Sequence, residues 1–284
     1  MNSYIELTKP RITWLILMST GIGYFFGWDG QWNNLSLLLH TIIGTGLIAS
    51  GTAALNQWYE SEADAKMKRT NQRPIPSGRV TSRNALYFGT AIAILGFAEL
   101  VLGANLLTGM LGLFTLGSYL FLYTPLKQTS WLSTTVGAVP GAMPPMIGFA
   151  AARGGLTAEA WVLFAILFLW QFPHFYAIAW MYRDDYKSAG IQMLPVVEPD
   201  GNSTSRHMLV FALFLVPVSL LPVYYAMAGK IYFAGALLLG MTFVYACWQV
   251  FNDRSLLKAR GVLKASVIYL PLLYCLMVLD RTGF

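Results

Sequence analysis

The chain has 284 residues, of which 56% are apolar and only 11% are charged, with a formal net charge of +6. Soluble proteins carry about 25% charged residues, so this composition excludes an ordinary soluble domain and predicts a multi-pass membrane protein. The positive charge does not indicate nucleic-acid binding, because the lysines and arginines lie in short segments between apolar runs, where they orient membrane proteins.

Nine apolar runs are long enough to cross a bilayer as helices. They fall at about 12–28, 36–58, 84–104, 106–124, 132–152, 158–181, 207–228, 231–251 and 263–280. With a cytoplasmic N-terminus, sixteen of the nineteen lysines and arginines face the cytoplasm, which agrees with the positive-inside rule. No repeat of fixed period and no soluble domain is visible, so we expect one transmembrane domain over residues 1–284.

The second run ends in three polar residues at four-residue spacing: Asn56, Glu60 and Asp64. On one helix, residues at this spacing share a stripe over roughly 12 Å. Four cations follow directly, namely Lys66, Lys68, Arg69 and Arg73. Because Mg²⁺ commonly binds through one or two carboxylates together with substrate phosphates, the pattern predicts a site for metal and diphosphate. A solvated helix end is the alternative interpretation.

The fifth run contains three prolines within the segment GAVPGAMPPMIG at 137–148. Prolines inside a helical run predict a broken helix. In a membrane such a break is tolerated where the backbone lines a cavity or packs against protein. The sequence leaves both interpretations open.

A second acidic pair, Asp184 and Asp185, follows the sixth run and is itself followed by Lys187. Under the same topology the second and sixth runs end on one side of the membrane, so both acidic clusters could surround one cavity. His174 precedes Asp185 by eleven residues, which predicts a shared helical face with the histidine about 16 Å deeper. His174 is a candidate ligand contact, and a core histidine hydrogen-bonded between helices is the alternative.

Residues 56–80, NQWYESEADAKMKRTNQRPIPSGRV, resemble the first signature of the UbiA superfamily of intramembrane prenyltransferases. Five further segments resemble, more specifically, its heme-farnesylating branch: TKPRI at 8–12, YTPLKQTS at 123–130, GAVPGAMPPMIG at 137–148, WQFPHFYAIAW at 170–180 and DYKSAGIQMLPVV at 185–197. The resemblance extends over most of the chain, and the last three helices contribute least.

This resemblance implies an all-α membrane fold of about nine helices around a central cavity. It implies Mg²⁺-dependent transfer of farnesyl from farnesyl diphosphate to a vinyl group of heme B, with addition of water, to give heme O; Mn²⁺ is the expected substitute metal. The implied catalytic residues are Asn56, Glu60, Asp64, Asp184 and Asp185, all but Asp184 as metal ligands. The implied diphosphate contacts are Arg69, Arg73, Tyr123, Lys127 and Lys187, and His174 is the heme candidate.

The resemblance also implies a place in the bacterial plasma (inner) membrane, with the N-terminus and the active site on the cytoplasmic side. The expected protein partner is a heme A synthase or an oxidase-assembly protein. Many superfamily members carry another aspartate about one turn before the second acidic pair, where this chain has Trp180 and Met181. Two alternative functions are a prenyltransferase of the same fold that acts on a quinone precursor or chlorin, and a secondary transporter.

Overall fold

A computed structural model describes residues 3–28, 30 and 35–282 of the chain. These residues form helices and turns, and no β-strand occurs among them. The α-helices are α1 Ser3–Leu7, α2 Pro10–Gly27, α3 Leu35–Tyr59, α4 Ser61–Lys66, α5 Ser82–Gly103, α6 Leu106–Gly117, α7 Thr124–Leu126, α8 Ser133–Gly141, α9 Pro144–Arg153, α10 Ala158–Met181, α11 Arg183–Ser188, α12 Leu194–Val197, α13 Asn202–Tyr224, α14 Lys230–Asn252 and α15 Leu256–Leu279. A π-helical turn, Ser118–Tyr123, joins α6 to α7.

Eight stretches of the described chain are long and apolar enough to cross a membrane. They comprise α3, α5, α6 with α7, α8 with α9, α10, α13, α14 and α15, and they coincide with eight of the nine predicted runs. The first predicted run corresponds to α2, an 18-residue helix that is not among the eight. The mean hydropathy of α2 is lowered by Pro10, Arg11 and three glycines. The length of α2 therefore supports a ninth span, whereas its composition does not.

The span formed by α6 and α7 departs from regular α-helix just before a proline. The Thr124 N–H bonds to the carbonyl of Tyr119, five residues earlier. A proline ring clashes with the carbonyl four residues before it in an α-helix, and the wider π turn at Ser118–Tyr123 accommodates Pro125. Such turns occur often at functional sites, and this one sets the position of Tyr123.

The span formed by α8 and α9 is broken at Ala142 and Met143, as its prolines predict. Pro144 and Pro145 open α9, where the missing N–H removes no helical hydrogen bond. Almost every residue of α9 is buried. The break is therefore built into the packed interior of the protein.

The chain divides into two compact units. The first contains Met1–Leu156 and Asp185–Ile191. Within it α3 packs along α5, and α2 packs against α9. The short helix α1 docks through Leu7, which is fully buried in a cluster with Ala54, Val80 and Ala85.

Glycines permit the close approach of α2 and α9 within this unit. A Cβ atom on Gly23 would lie 1.9 Å from the carbonyl oxygen of Pro145, and one on Gly148 would lie 1.9 Å from that of Thr20. Small residues let membrane helices approach closely in this way. The proline-rich break thus packs against protein, which is one of the two interpretations that the sequence left open.

The second unit contains Thr157–Asp184 and Gln192–Phe284. Its helices α10, α13, α14 and α15 pack against one another in sequence, and α15 returns to α10. Hydrogen bonds link them: the Tyr232 hydroxyl donates to the Ser219 carbonyl over 2.7 Å in the buried interior, and the half-buried Trp170 donates through Nε1 to the Ser266 carbonyl over 2.8 Å. The expectation of a single domain over 1–284 stays a prediction.

Candidate functional site

The polar stripe predicted from the sequence lies where α3 passes into α4. The helix is interrupted at Glu60, whose φ is −90° and ψ 9°, so the stripe does not lie on one continuous helix as expected. Backbone hydrogen bonds still bridge the interruption: the Glu60 N–H donates to the Asn56 carbonyl over 2.9 Å, and the Asp64 N–H donates to the Glu60 carbonyl over 2.8 Å. The three residues therefore stay stacked, and their exposed fractions are only 2%, 8% and 0% for Asn56, Glu60 and Asp64.

Glu60, the middle residue of the stripe, forms an ion pair with Lys127. The Lys127 ammonium donates to Glu60 Oε1 over 2.8 Å, and both side chains are largely buried. The same ammonium lies 4.3 Å from the centroid of the Tyr123 ring, a cation–π geometry. Burial by itself would raise the pKa of Glu60, but the charge and hydrogen bond of Lys127 outweigh it, and the pKa lies below its ordinary value. Burial would likewise lower the pKa of Lys127, but Tyr123 and Glu60 raise it well above its ordinary value. Both groups are therefore charged at neutral pH.

Asp64, the last residue of the stripe, is held by Arg73 from the following loop. One guanidinium nitrogen, Nη1, donates to both carboxylate oxygens over 2.8 and 2.7 Å. The Asp64 side chain is 1% exposed and that of Arg73 is 30% exposed. The Thr70 hydroxyl donates to the Asp64 carbonyl over 2.9 Å and so turns the loop back towards the stripe. The two residues that the sequence assigned separately to metal and diphosphate thus form one partly buried ion pair.

Asn56, the first residue of the stripe, accepts a hydrogen bond from Lys9. The Lys9 ammonium lies 3.1 Å from Asn56 Oδ1, and the Asn56 amide donates to the Thr124 hydroxyl over 3.4 Å. Burial and the nearby Arg73 guanidinium lower the pKa of Lys9 to about 7. Each member of the stripe therefore has one cation as a partner.

The stripe offers the donor atoms that a hard divalent cation requires. Within residues 3–28, 30 and 35–282, no three His, Cys, Asp or Glu side chains come together as a ready-made metal cage. Mg²⁺ does not need one, because it commonly binds through one or two carboxylates and completes its shell with water and substrate phosphates. The amide oxygen and two carboxylates of the stripe fit that mode of binding, and the cations beside them fit a phosphate group.

The second acidic segment contributes Asp185 to the first unit. Ser188 Oγ donates to the Lys66 carbonyl over 3.2 Å, and the Arg69 guanidinium lies 4.5 Å from the centroid of the Tyr186 ring. These contacts hold the start of 185–191 beside the loop that follows the stripe. The side chain of Asp185 is half-buried and that of Lys187 is exposed.

The predicted helical relation between His174 and Asp185 is wrong. The helix that carries His174, α10, ends at Met181, and a separate short helix, α11, carries the aspartates. Eleven residues therefore do not measure three turns of one helix here. Asp184 is exposed and belongs to the second unit, whereas Asp185 belongs to the first.

His174 makes the interhelical hydrogen bond that the sequence left as the alternative to a ligand contact. Its Nδ1 lies 2.8 Å from Ser266 Oγ, and its ring stacks on Trp170 with centroids 4.6 Å apart. The Ser266 hydroxyl donates to the Leu263 carbonyl, so Ser266 accepts from the histidine. Nδ1 then carries the proton and Nε2 keeps its lone pair, which leaves the ring able to contact a ligand as well.

Three contacts of the site were missed by reasoning from the sequence. Lys9 lies in the segment TKPRI and Thr124 in the segment YTPLKQTS, but the sequence assigns neither a role in the site, and Tyr186 lies between the candidates Asp185 and Lys187. A signal existed for Lys9, because it directly precedes Pro10 on the same predicted side of the membrane as the acidic stripe. Residue spacing does not predict the contact of Thr124 with Asn56, because that contact depends on the π turn before Thr124.

The chain is similar to a known protein family and to known proteins. The model of the UbiA prenyltransferase family matches residues 16–268. The protoheme IX farnesyltransferase of Solibacter usitatus (strain Ellin6076) is 65% identical, with 100% of both chains covered. That of Koribacter versatilis (strain Ellin345) is 47% identical, with 99% of this chain and 94% of the relative covered.

Solved structures share the fold at low sequence identity. A digeranylgeranylglyceryl phosphate synthase superposes with a TM-score of 0.81 at 18% identity, covering 98% of this chain and 97% of the other. A UbiA homolog from Archaeoglobus fulgidus bound to GPP and Mg²⁺ superposes with a TM-score of 0.71 at 14% identity, covering 97% of this chain and 99% of the other. The all-α membrane fold predicted from the sequence is therefore confirmed.

Proposed function

We propose, because the chain belongs to the UbiA prenyltransferase family, that it transfers the farnesyl group of farnesyl diphosphate to a vinyl group of heme B. The observation that carries this proposal is the 65% identity over the full length to a protoheme IX farnesyltransferase. In the reaction the bond between the first farnesyl carbon and the diphosphate oxygen breaks, and diphosphate leaves with the electron pair. The vinyl group forms the new carbon–carbon bond, and water supplies a hydroxyl and loses a proton, giving heme O.

The polar stripe is the proposed metal site. Asn56, Glu60 and Asp64, with Asp185 from the second acidic segment, would hold Mg²⁺, with Mn²⁺ as a substitute; Asp184 is the fifth proposed catalytic residue. Bound metal neutralises charge that develops on the departing diphosphate. The support is the donor set of the stripe and the solved UbiA homolog that contains Mg²⁺ and GPP.

The cations beside the stripe are the proposed diphosphate contacts. Arg73 and Lys127 already pair with Asp64 and Glu60, so both cations would contact a diphosphate group bound at the stripe. Arg69 and Lys187 would contribute from the two neighbouring loops. Tyr123 would offer its hydroxyl to the same group, while its ring steadies the Lys127 ammonium.

His174 is the proposed acceptor-side residue. Its ring is fixed by Ser266 and Trp170, and its Nε2 would contact the tetrapyrrole or the group beside the reacting vinyl. A fixed aromatic pair of this kind also tolerates the positive charge of an allylic cation. The ring would therefore orient heme without taking part in diphosphate binding.

The proposed setting is the bacterial plasma (inner) membrane, with one transmembrane domain, a cytoplasmic N-terminus and a cytoplasmic active site. The support is the asymmetry of the lysines and arginines between alternate loops. A heme A synthase or an oxidase-assembly protein would receive the product, because a farnesylated heme is too apolar to leave the bilayer freely.

The test is direct. Purified protein in detergent or lipid is incubated with heme B, farnesyl diphosphate and Mg²⁺, and the heme is analysed by mass. A product heavier than heme B by one farnesyl group and one hydroxyl group supports the proposal. Parallel incubations with a quinone precursor and with a chlorin test the alternative acceptors, and prenylation of one of these with heme unchanged would refute the heme assignment.

A further inference from the structure

Lys9 adopts a backbone conformation that is rare for a residue with a side chain. Its φ is 47° and its ψ is 61°, in the left-handed region, and Ala226 is the only other non-glycine residue of the described chain with positive φ. Lys9 also precedes Pro10, whose ring restricts it further. Conformations of this kind persist only where the surroundings enforce them, and they cluster at ligand sites.

Buried contacts on both flanks enforce the conformation of Lys9. Before it, Leu7 is fully buried, and its carbonyl accepts a hydrogen bond from Gln57 Nε2 over 2.9 Å. After it, the Thr13 hydroxyl donates to the Thr8 carbonyl over 2.8 Å. The chain is thus held at both sides of Lys9, with the ammonium directed at Asn56.

The charges around this ammonium do not balance. Arg73 and Lys127 lie close enough to Lys9 to oppose its charge, and each already has one carboxylate of the stripe as its partner. Within the described part of the chain, Lys9 hydrogen-bonds only to the neutral amide oxygen of Asn56, and it shares the attraction of Glu60 and Asp64 with the other two cations. Three basic side chains therefore face two carboxylates, and charging the third one without an opposite partner is costly. An anion at this place would remove the imbalance.

We propose that Lys9 is a further diphosphate-contacting residue, a third basic side chain that donates to the diphosphate when substrate binds while it keeps its hydrogen bond to Asn56. This rests on the proposed function, because it adds a contact to the leaving group of that reaction. An ammonium has three N–H donors, so Lys9 can keep its bond to Asn56 and still donate to phosphate oxygens. The strained backbone at Lys9 is then the feature that aims the donor.

The experiment measures binding of inorganic pyrophosphate with Mg²⁺ to the purified full chain by calorimetry. Lys9→Met keeps the length of the side chain and removes the charge; Arg11→Met removes a neighbouring exposed cation and is the matched control. We expect Lys9→Met to bind pyrophosphate about 10- to 100-fold more weakly, the effect of losing one hydrogen bond between charged groups, and Arg11→Met to bind like wild type. Without pyrophosphate, Lys9→Met should melt no lower than wild type, because the excess charge is gone.

Wild-type pyrophosphate affinity in Lys9→Met would overturn the proposal. A lowered melting temperature without pyrophosphate, with the affinity of the folded fraction unchanged, would overturn it too, since Lys9 would then only support Asn56. Should Lys9→Met fail to fold, amine acylation of the wild type read by mass spectrometry replaces it. Pyrophosphate should slow the labelling of Lys9 and not that of the exposed Lys264, and equal labelling of Lys9 with and without pyrophosphate would refute the contact.

The two proposals fail in different ways. If wild-type protein binds pyrophosphate but forms no farnesylated heme, the acceptor assignment fails and the Lys9 contact can still be scored. If heme O forms and Lys9→Met binds pyrophosphate normally, the Lys9 contact fails and the proposed function stands.

Discussion

Replacing Arg73 by methionine should destabilise the ligand-free protein by about 3 kcal/mol, at the low end of the range for breaking a buried ion pair. The guanidinium Nη1 lies 2.7 Å from Asp64 Oδ2. At an effective dielectric constant near 20, that separation corresponds to an attraction of about 6 kcal/mol. Desolvation of the carboxylate, whose side chain is 1% exposed, offsets part of this attraction, and the partial exposure of Arg73 reduces it further.

The assay is thermal unfolding in detergent followed by tryptophan fluorescence. With 284 residues and an unfolding entropy of about 2.1 cal/mol/K per residue, about 3 kcal/mol corresponds to a melting temperature lower by about 5 °C. Arg79→Met is the matched control, because Arg79 pairs with Glu6 at the surface and exposed pairs contribute below about 1 kcal/mol. Arg73→Lys should retain most of the stability, since one nitrogen makes both contacts to Asp64. The Arg73→Lys variant should nevertheless bind pyrophosphate more weakly than wild type, because an ammonium lacks the guanidinium fork.

The double variant Asp64→Asn/Arg73→Met decides whether the pair is the cause. Without the buried carboxylate, loss of Arg73 strands no charge, so the double variant should be more stable than Arg73→Met alone. The reasoning from the ion pair is wrong if Arg73→Met melts within about 2 °C of wild type. It is also wrong if the destabilisation of the double variant equals the sum of the destabilisations of Asp64→Asn and Arg73→Met.

A chelator should abolish turnover and Mg²⁺ should restore it; full turnover in excess chelator would contradict the proposed metal role. Gly23→Ala should cost about 2–3 kcal/mol of stability through overpacking, because the new Cβ would lie 1.9 Å from a backbone carbonyl oxygen of α9; Gly21→Ala, with nothing within 4 Å, is the control, and equal melting temperatures would refute the close crossing. His174→Ala should weaken heme binding in an absorbance titration and spare binding of a farnesyl diphosphate analogue; unchanged heme binding would leave the ring a packing residue. The hydrogen bond from Arg79 lowers the pKa of the Glu6 carboxyl below its ordinary value. The contribution of Glu6 to the docking of α1 is therefore present above the ordinary pKa and is lost as the pH falls through the lowered pKa of the folded protein. Amide exchange of α1 should follow this course, and Glu6→Gln should remove the dependence.

The sequence predicted the spans well because hydropathy and helix length are local properties. Eight predicted runs coincide with the apolar helices, and the three prolines of 137–148 correctly predicted the break between α8 and α9. The errors also have local causes. Glu60 interrupts the helix that was expected to be continuous, and a turn after Met181 separates His174 from Asp185, because helix ends depend on which surfaces the chain packs against there.

By itself the sequence determined the class of protein, its helical spans and the four-residue spacing of the acidic stripe, because the backbone hydrogen bonds that set this spacing form between residues close in the chain. Only the tertiary structure decided which cation pairs with each member of the stripe. The partners of Asn56 and Glu60 lie 47 and 67 residues away, and membrane helices that are apolar on most sides carry little sign of which neighbour they will meet. Packing of α2 against α9, the buried anchor of α1 and the π turn before Thr124 bring those partners to the stripe, and none of these contacts follows from residue spacing.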